Sequence, residues 1–142
     1  MQVKFILKNK GGTVETIRAT GLITDAIDRL RTKRIGVLVV SETGSDIAGI
    51  VSERDIVTGL AEHGADLLDQ RVETIMTREV KTCSPDDTII SVMEMMTDRR
   101  IRHIPVLRDG ALAGIVSIGD AVKFRLQELE TEASHLRDYI SH

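Results

Sequence analysis

Apolar positions along this chain fall into two rhythms, and each rhythm occurs twice. Ile23, Ala26, Ile27 and Leu30 have the spacing of one buried helix face, and so do Ile89, Val92, Met93 and Met96. Lys33-Arg34-Ile35 and Arg99-Arg100-Ile101 follow, placing cations where a helix dipole favours them. An apolar run comes next in each half, over 37–40 and over 103–106 (the latter opening on His103), as expected of strands buried on both faces. Turn residues then intervene, Glu42-Thr43-Gly44-Ser45-Asp46 in the first half and the shorter Arg108-Asp109-Gly110 in the second. Asp-Gly between apolar runs signals a hairpin. Strands over 47–51 and 111–116 complete the two hairpins, and a helix opens after Ser52 and after Ser117. Residues 14–17 and 80–83 read as a short strand ahead of each helix.

The repetition is strongest in one phrase. Ala48-Gly49-Ile50-Val51-Ser52-Glu53-Arg54-Asp55 returns as Ala113-Gly114-Ile115-Val116-Ser117-Ile118-Gly119-Asp120. Even the leaders correspond: Val3, Ile6 and Leu7 match Val72, Ile75 and Met76, predicting a short amphipathic helix before each unit. The fold class is therefore α/β (α+β), with two pseudo-symmetric β-α-β-β-α repeats, 1–70 and 71–142, each led by a helix. Polar residues 62–71 read as the joint, with Gly64 as a helix stop. The final helix, about 118–140, departs from its counterpart. Val122, Leu126, Leu129, Ala133, Leu136 and Ile140 form a 3.5-residue seam, which points to the same helix in a second copy and hence a homodimer.

Bulk composition narrows the chemistry. The 142 residues are 42% apolar and 29% charged with net charge −3, and no basic stripe invites nucleic acid. No apolar run is long enough for a membrane span, and no secretory leader is evident. A single Cys83 fits a reducing compartment, so a cytoplasmic location is expected. With no Trp, and only Phe5, Phe124 and Tyr139 as aromatics, a planar ligand must lie against aliphatic side chains and backbone. His63, His103, His135 and His142 lack metal-site spacing, and Cys83 sits among apolar neighbours with no activating base. Gly-rich phosphate loops of the Rossmann and P-loop kinds are absent.

What remains is the Ser-x-x-Asp pair at each strand–helix junction. Ser52 with Asp55, and Ser117 with Asp120, can be read as capping boxes. They can equally be read as nucleotide ligands. A carboxylate can accept both hydroxyls of a ribose cis-diol, and a helix N-terminus favours phosphate. This Gly-apolar-apolar-Ser-x-x-Asp phrase closes a β-α-β-β-α unit twice, preceded in the second half by Ile101-Arg102-His103-Ile104-Pro105-Val106. In these features the chain resembles the CBS-domain family, whose tandem pairs are called Bateman modules, and in size it is similar to the stand-alone bacterial members.

The resemblance implies paired three-stranded sheets and a non-catalytic adenine-nucleotide sensor, with clefts between the paired repeats and no catalytic cofactor. AMP is the first ligand it suggests, with ADP, ATP, S-adenosylmethionine or NAD(H) as relatives. Carried over residue by residue, it assigns ribose to Asp55 and Asp120 and the neighbouring hydroxyl to Ser52 and Ser117. First-strand contacts to the base fall to Thr16, Ile17 and Arg18, and to Thr82, Cys83, Ser84 and Pro85. Middle-strand contacts fall to Gly36, Val37, Leu38 and Val39, and to Arg102, His103, Ile104 and Pro105. Arg54 is the first choice for phosphate, with Arg18, Arg34, Arg100, Arg102 and His103 behind it. The first half lacks the His-x-Pro of the second, and Arg54 stands where the second half has Gly119. Unequal sites are expected, the first taking a larger or more anionic ligand, with NAD(H) a candidate at one of the two. Competing readings are an interaction dimer with vestigial sites and a nucleotide-processing enzyme using the Asp pair. Intact Ser and Asp in both halves oppose the former, and the lack of a nucleophile–base pair opposes the latter. The downstream protein partner is not legible.

Overall fold

The double rhythm folds as α1 (Val3–Lys10), β1 (Thr16–Ile17), α2 (Ile23–Lys33), β2 (Val37–Val40), β3 (Gly49–Ser52) and α3 (Glu53–His63), then α4 (Ile89–Arg99), β4 (His103–Arg108), β5 (Ala111–Ser117) and α5 (Ile118–Ser141). The computed structural model describes residues 1–141, so His142 lies outside the described residues. Between α3 and α4 run two 3-10 turns, Gly64–Asp69 and Val72–Thr74. The second leader, expected as an amphipathic helix, is thus only a turn.

β2 lies between a parallel β1 and an antiparallel β3, with Val37 opposite Ser52 and Val39 opposite Thr16. Among the described residues the second sheet contains β4 and β5 alone. The strand expected over 80–83 is reduced to one bridge, Cys83 with Val106. Proline explains the loss. In the first half Val39 N donates to Glu15 O at 3.2 Å, while its counterpart Pro105 has no N–H to give Lys81. At the tip of the second hairpin Asp109 (φ 52°) and Gly110 (φ 78°) both take positive φ, as a tight two-residue turn requires.

Contacts group the chain into two compact units, each carrying one of the two acids. The Asp55 unit comprises Thr13–Lys81 with Asp109–Ala113; the Asp120 unit comprises Met1–Gly12, Thr82–Arg108 and the chain from Gly114 onward. Sequence repeats and compact units are therefore different divisions. Val3, Ile6 and Leu7 of the first leader join a core with Ile89, Val92, Met96, Ile104 and Val116. Val72 and Met76 of the second leader join Ile23, Leu30, Leu38 and Val51. The supposedly polar joint is also anchored, since Leu67 is fully buried in the Asp55 core.

In α5 the buried residues are Ala121 and Phe124. The seam is uncovered in the single chain: Val122 is 40% exposed, Leu126 55%, Leu129 42%, Leu136 62% and Ile140 81%. Among the described residues no helix is long and apolar enough to cross a membrane.

Candidate functional site

Each repeated phrase ends by turning an extended strand into a helix, and the Ser and Asp are held at that turn. Ser52 caps α3 in extended conformation. Its Oγ accepts from Asp55 N at 3.2 Å, while Asp55 Oδ2 accepts from Ser52 N at 2.9 Å and from Ser52 Oγ at 3.0 Å. The second copy is built alike: Asp120 N donates to Ser117 Oγ at 3.0 Å and Ser117 N to Asp120 Oδ2 at 3.0 Å. Both copies thus form reciprocal caps, with Asp replacing the usual Glu or Gln. Both acids are half-buried. The caps use Oδ2 of each carboxylate: Asp55 Oδ1 accepts instead from Thr77 Oγ1 at 3.4 Å, and Asp120 Oδ1 accepts no hydrogen bond among the described residues.

The leaders complete these turns, and the sequence reading missed them. Thr77 bridges to Ile50, with N–H···O bonds of 2.8 and 2.9 Å in the two directions. In the Asp120 unit Lys10 Nζ donates to Ile115 O at 3.0 Å and to Asp120 Oδ2 at 2.7 Å. Lys10 is the last residue of α1, where a cation is accounted for by the helix dipole alone. Only the three-dimensional course of the leader shows its partner.

Burial alone would raise the Asp120 carboxyl, but hydrogen bonds from Lys10 and Ser117, with the Lys10 charge, outweigh it and hold the group below its ordinary range. A depressed folded pKa adds stability above the unfolded value, and that stability is lost as pH falls through the folded one. Lys10→Met is expected to cost about 1 kcal/mol near neutral pH and almost nothing in acid strong enough to protonate Asp120. Urea denaturation at the two pH values checks this; a loss independent of pH contradicts it.

The other residues singled out from sequence divide by burial. Leu38, Val39 and Ile104 are fully buried, and Ile17 and Cys83 nearly so. Pro105 and Pro85 are also buried, while Thr16, Gly36, Val37, Thr82, Ser84 and His103 are half-buried. Gly36 O accepts from Glu53 N at 3.0 Å, and Arg102 O from Ile118 N at 2.8 Å, so middle strand and helix start are joined in both halves. Arg18, Arg54 and Arg102 are exposed, and Arg18 pairs with Glu42 at 3.8 Å. Arg34 and Arg100 end α2 and α4 in the left-handed conformation. The Cys83 thiol is pushed up to about 12 by burial and by the Asp87 charge, as suits an inert packing residue. A shallow cavity of about 350 Å³ is lined by Ile90, Met93, Glu94, Thr97, Asp98 and Arg125, and by none of the predicted site residues.

The CBS-domain family model matches residues 13–62 and 72–127. The mitochondrial CBS domain-containing protein CBSX3 of Arabidopsis thaliana is 34% identical over 143 residues, covering 95% of this chain and 69% of that protein. The CBS-domain protein ATU1752 of Agrobacterium tumefaciens superimposes with a TM-score of 0.85 at 42% identity, over 88% of this chain and 99% of the other. The CBS domain pair of protein MJ0100, solved in complex with 5′-methylthioadenosine and S-adenosyl-L-methionine, gives a TM-score of 0.79 at 26% identity, over 90% and 98% of the two chains.

Proposed function

The chain belongs to the CBS-domain family, and on that premise we propose that it is a non-catalytic regulatory module that binds adenine nucleotides through Asp55 and Asp120. One observation carries the reading: both acids are held half-buried at a helix start with a carboxylate oxygen left for a ligand. A ribose diol can take both oxygens of such a carboxylate, and the helix N-terminus suits a phosphate. The adenosine ligands of the MJ0100 domain pair support the same chemical class. AMP is assigned to the Asp120 half. The larger or more anionic ligand, such as NAD(H), is assigned to the Asp55 half, where Gly36 leaves room and Arg54 is exposed. Mass spectrometry of nucleotides released from the purified chain, followed by calorimetry, tests the reading; no release and no binding of AMP, NADH or S-adenosylmethionine overturns it.

A second reading has its own observation. The reciprocal caps account for Ser and Asp without any ligand, as an interaction module with vestigial sites requires.

Self-association is part of the proposal. The uncovered seam of α5 repeats every 3.5 residues, as paired helices require, and a second copy supplies the complementary seam. Leu126→Glu with Leu136→Glu is expected to weaken the dimer by about a hundredfold or more, each buried Leu being worth roughly 1.5–3 kcal/mol. Sedimentation equilibrium reads this directly, and an unchanged mass distribution refutes it.

A further inference from the structure

Lys10 meets at the Asp120 turn the kinds of group that Thr77 meets at the Asp55 turn, a strand carbonyl and the carboxylate, but it carries a charge and takes the capping oxygen Oδ2 where Thr77 takes Oδ1. Ile50 and Ile115 hold the same place in the repeated phrase, as do the two acids. Thr77 meets the first pair, its N donating to Ile50 O at 2.8 Å and its Oγ1 to Asp55 Oδ1 at 3.4 Å. Lys10 Nζ meets the second pair, at 3.0 Å to Ile115 O and 2.7 Å to Asp120 Oδ2. Both Lys10 and Asp120 stay open to solvent, their side chains 35% and 23% exposed.

We propose that Lys10 is the specificity-determining residue of the Asp120 site, selecting a ligand that carries a phosphate with its ribose diol over the unphosphorylated nucleoside. The inference rests on the nucleotide reading above. Asp120 Oδ2 already accepts from Ser117 N and Lys10 Nζ. A diol that takes both carboxylate oxygens therefore competes with the ammonium for Oδ2. A neutral nucleoside leaves Lys10 with the Ile115 carbonyl and no counter-charge, so a charge-assisted bond is lost. A phosphorylated ligand brings its own anion, and the flexible lysine stem can follow it. The bond is then exchanged, not lost. Discrimination arises from what the wrong ligand leaves unpaired, which is a common source of specificity. At Asp55 the leader offers only a neutral hydroxyl, on Oδ1, and imposes no charge requirement.

Calorimetry with AMP and with adenosine on the full chain, repeated with Asp55→Ala to silence the other half, tests the assignment. Lys10→Met is expected to lower the AMP-over-adenosine preference by about tenfold or more through weaker AMP binding, as loss of one charge-assisted bond requires. Lys10→Arg should keep the preference, and Thr77→Lys should raise it at the Asp55 half. An unchanged preference in Lys10→Met, or equal losses for both ligands, overturns the role of Lys10 while the nucleotide reading stands. Failure of the unsubstituted chain to bind either ligand overturns both.

Discussion

Asp55→Glu and Asp120→Glu are expected to leave the fold intact and to weaken adenine-nucleotide binding at the substituted half by roughly a hundredfold. The substitution separates two jobs that Ala would remove together. Each Asp closes a cap by accepting from its own Ser N, at 2.9 Å in one copy and 3.0 Å in the other. Glu is the common residue for that return bond, so the cap survives and stability should move by no more than about 0.5 kcal/mol. Ala deletes the return bond and should cost about 1 kcal/mol. Ribose is less forgiving, because the extra methylene moves the carboxylate by about 1.5 Å relative to the helix start. Two charge-assisted bonds, each worth about 1.5–3 kcal/mol when well formed, are then misdirected. If Glu binds as well as Asp while Ala only destabilises, the acids are caps and the vestigial-site reading is right. Calorimetry for affinity and urea denaturation for stability together decide it.

The repeat was legible because its signals are local. Helix faces at 23–30 and 89–96, the apolar middle strands and the Asp-Gly turn each depend on residues near in sequence, and the structure has them all. Pro105 carried a signal that repeat logic overrode: residues 80–83 were expected as a strand, yet a residue without an N–H in the middle strand weakens pairing to the single bridge at Cys83. The leaders were not legible. The spacing of Val3, Ile6 and Leu7 says that one helix face is apolar, but not which core receives it. That receiving core holds residues 83–124, so the partners lie nearly eighty or more positions away. Lys10 was hidden for a further reason. Aligning the leaders through Leu7 and Met76 places Lys8 opposite Thr77, so repeat logic points to the wrong lysine. A long side chain on Lys10 reaches the place that the backbone and hydroxyl of Thr77 fill in the other copy.

The same leaders assign a physical role to the glycine of the repeated phrase, and Gly49→Ala is the sharp case. A Cβ at Gly49 would stand 2.7 Å from the Thr77 carbonyl oxygen and 3.1 Å from Met76 Sδ. Backbone cannot swing aside as a side-chain tip can, so Thr77 must retreat and its paired bonds to Ile50, 2.8 and 2.9 Å, must lengthen. Overpacking together with the weakened bridge is expected to cost about 2–4 kcal/mol. At Gly114 an added Cβ would run into Leu7 Cδ2, the end of a flexible side chain. Gly114→Ala should therefore cost less, about 1 kcal/mol, and combining it with Leu7→Met should recover part of that loss. Urea denaturation of the variants measures both. Glycine within a strand can also be kept to let a ligand approach the backbone closely. That alternative predicts the opposite pattern, with Gly49→Ala as stable as the parent chain and deficient only in nucleotide binding. The close contact to Thr77 O favours leader docking, with any fall in binding following from the loss of Thr77 beside Asp55.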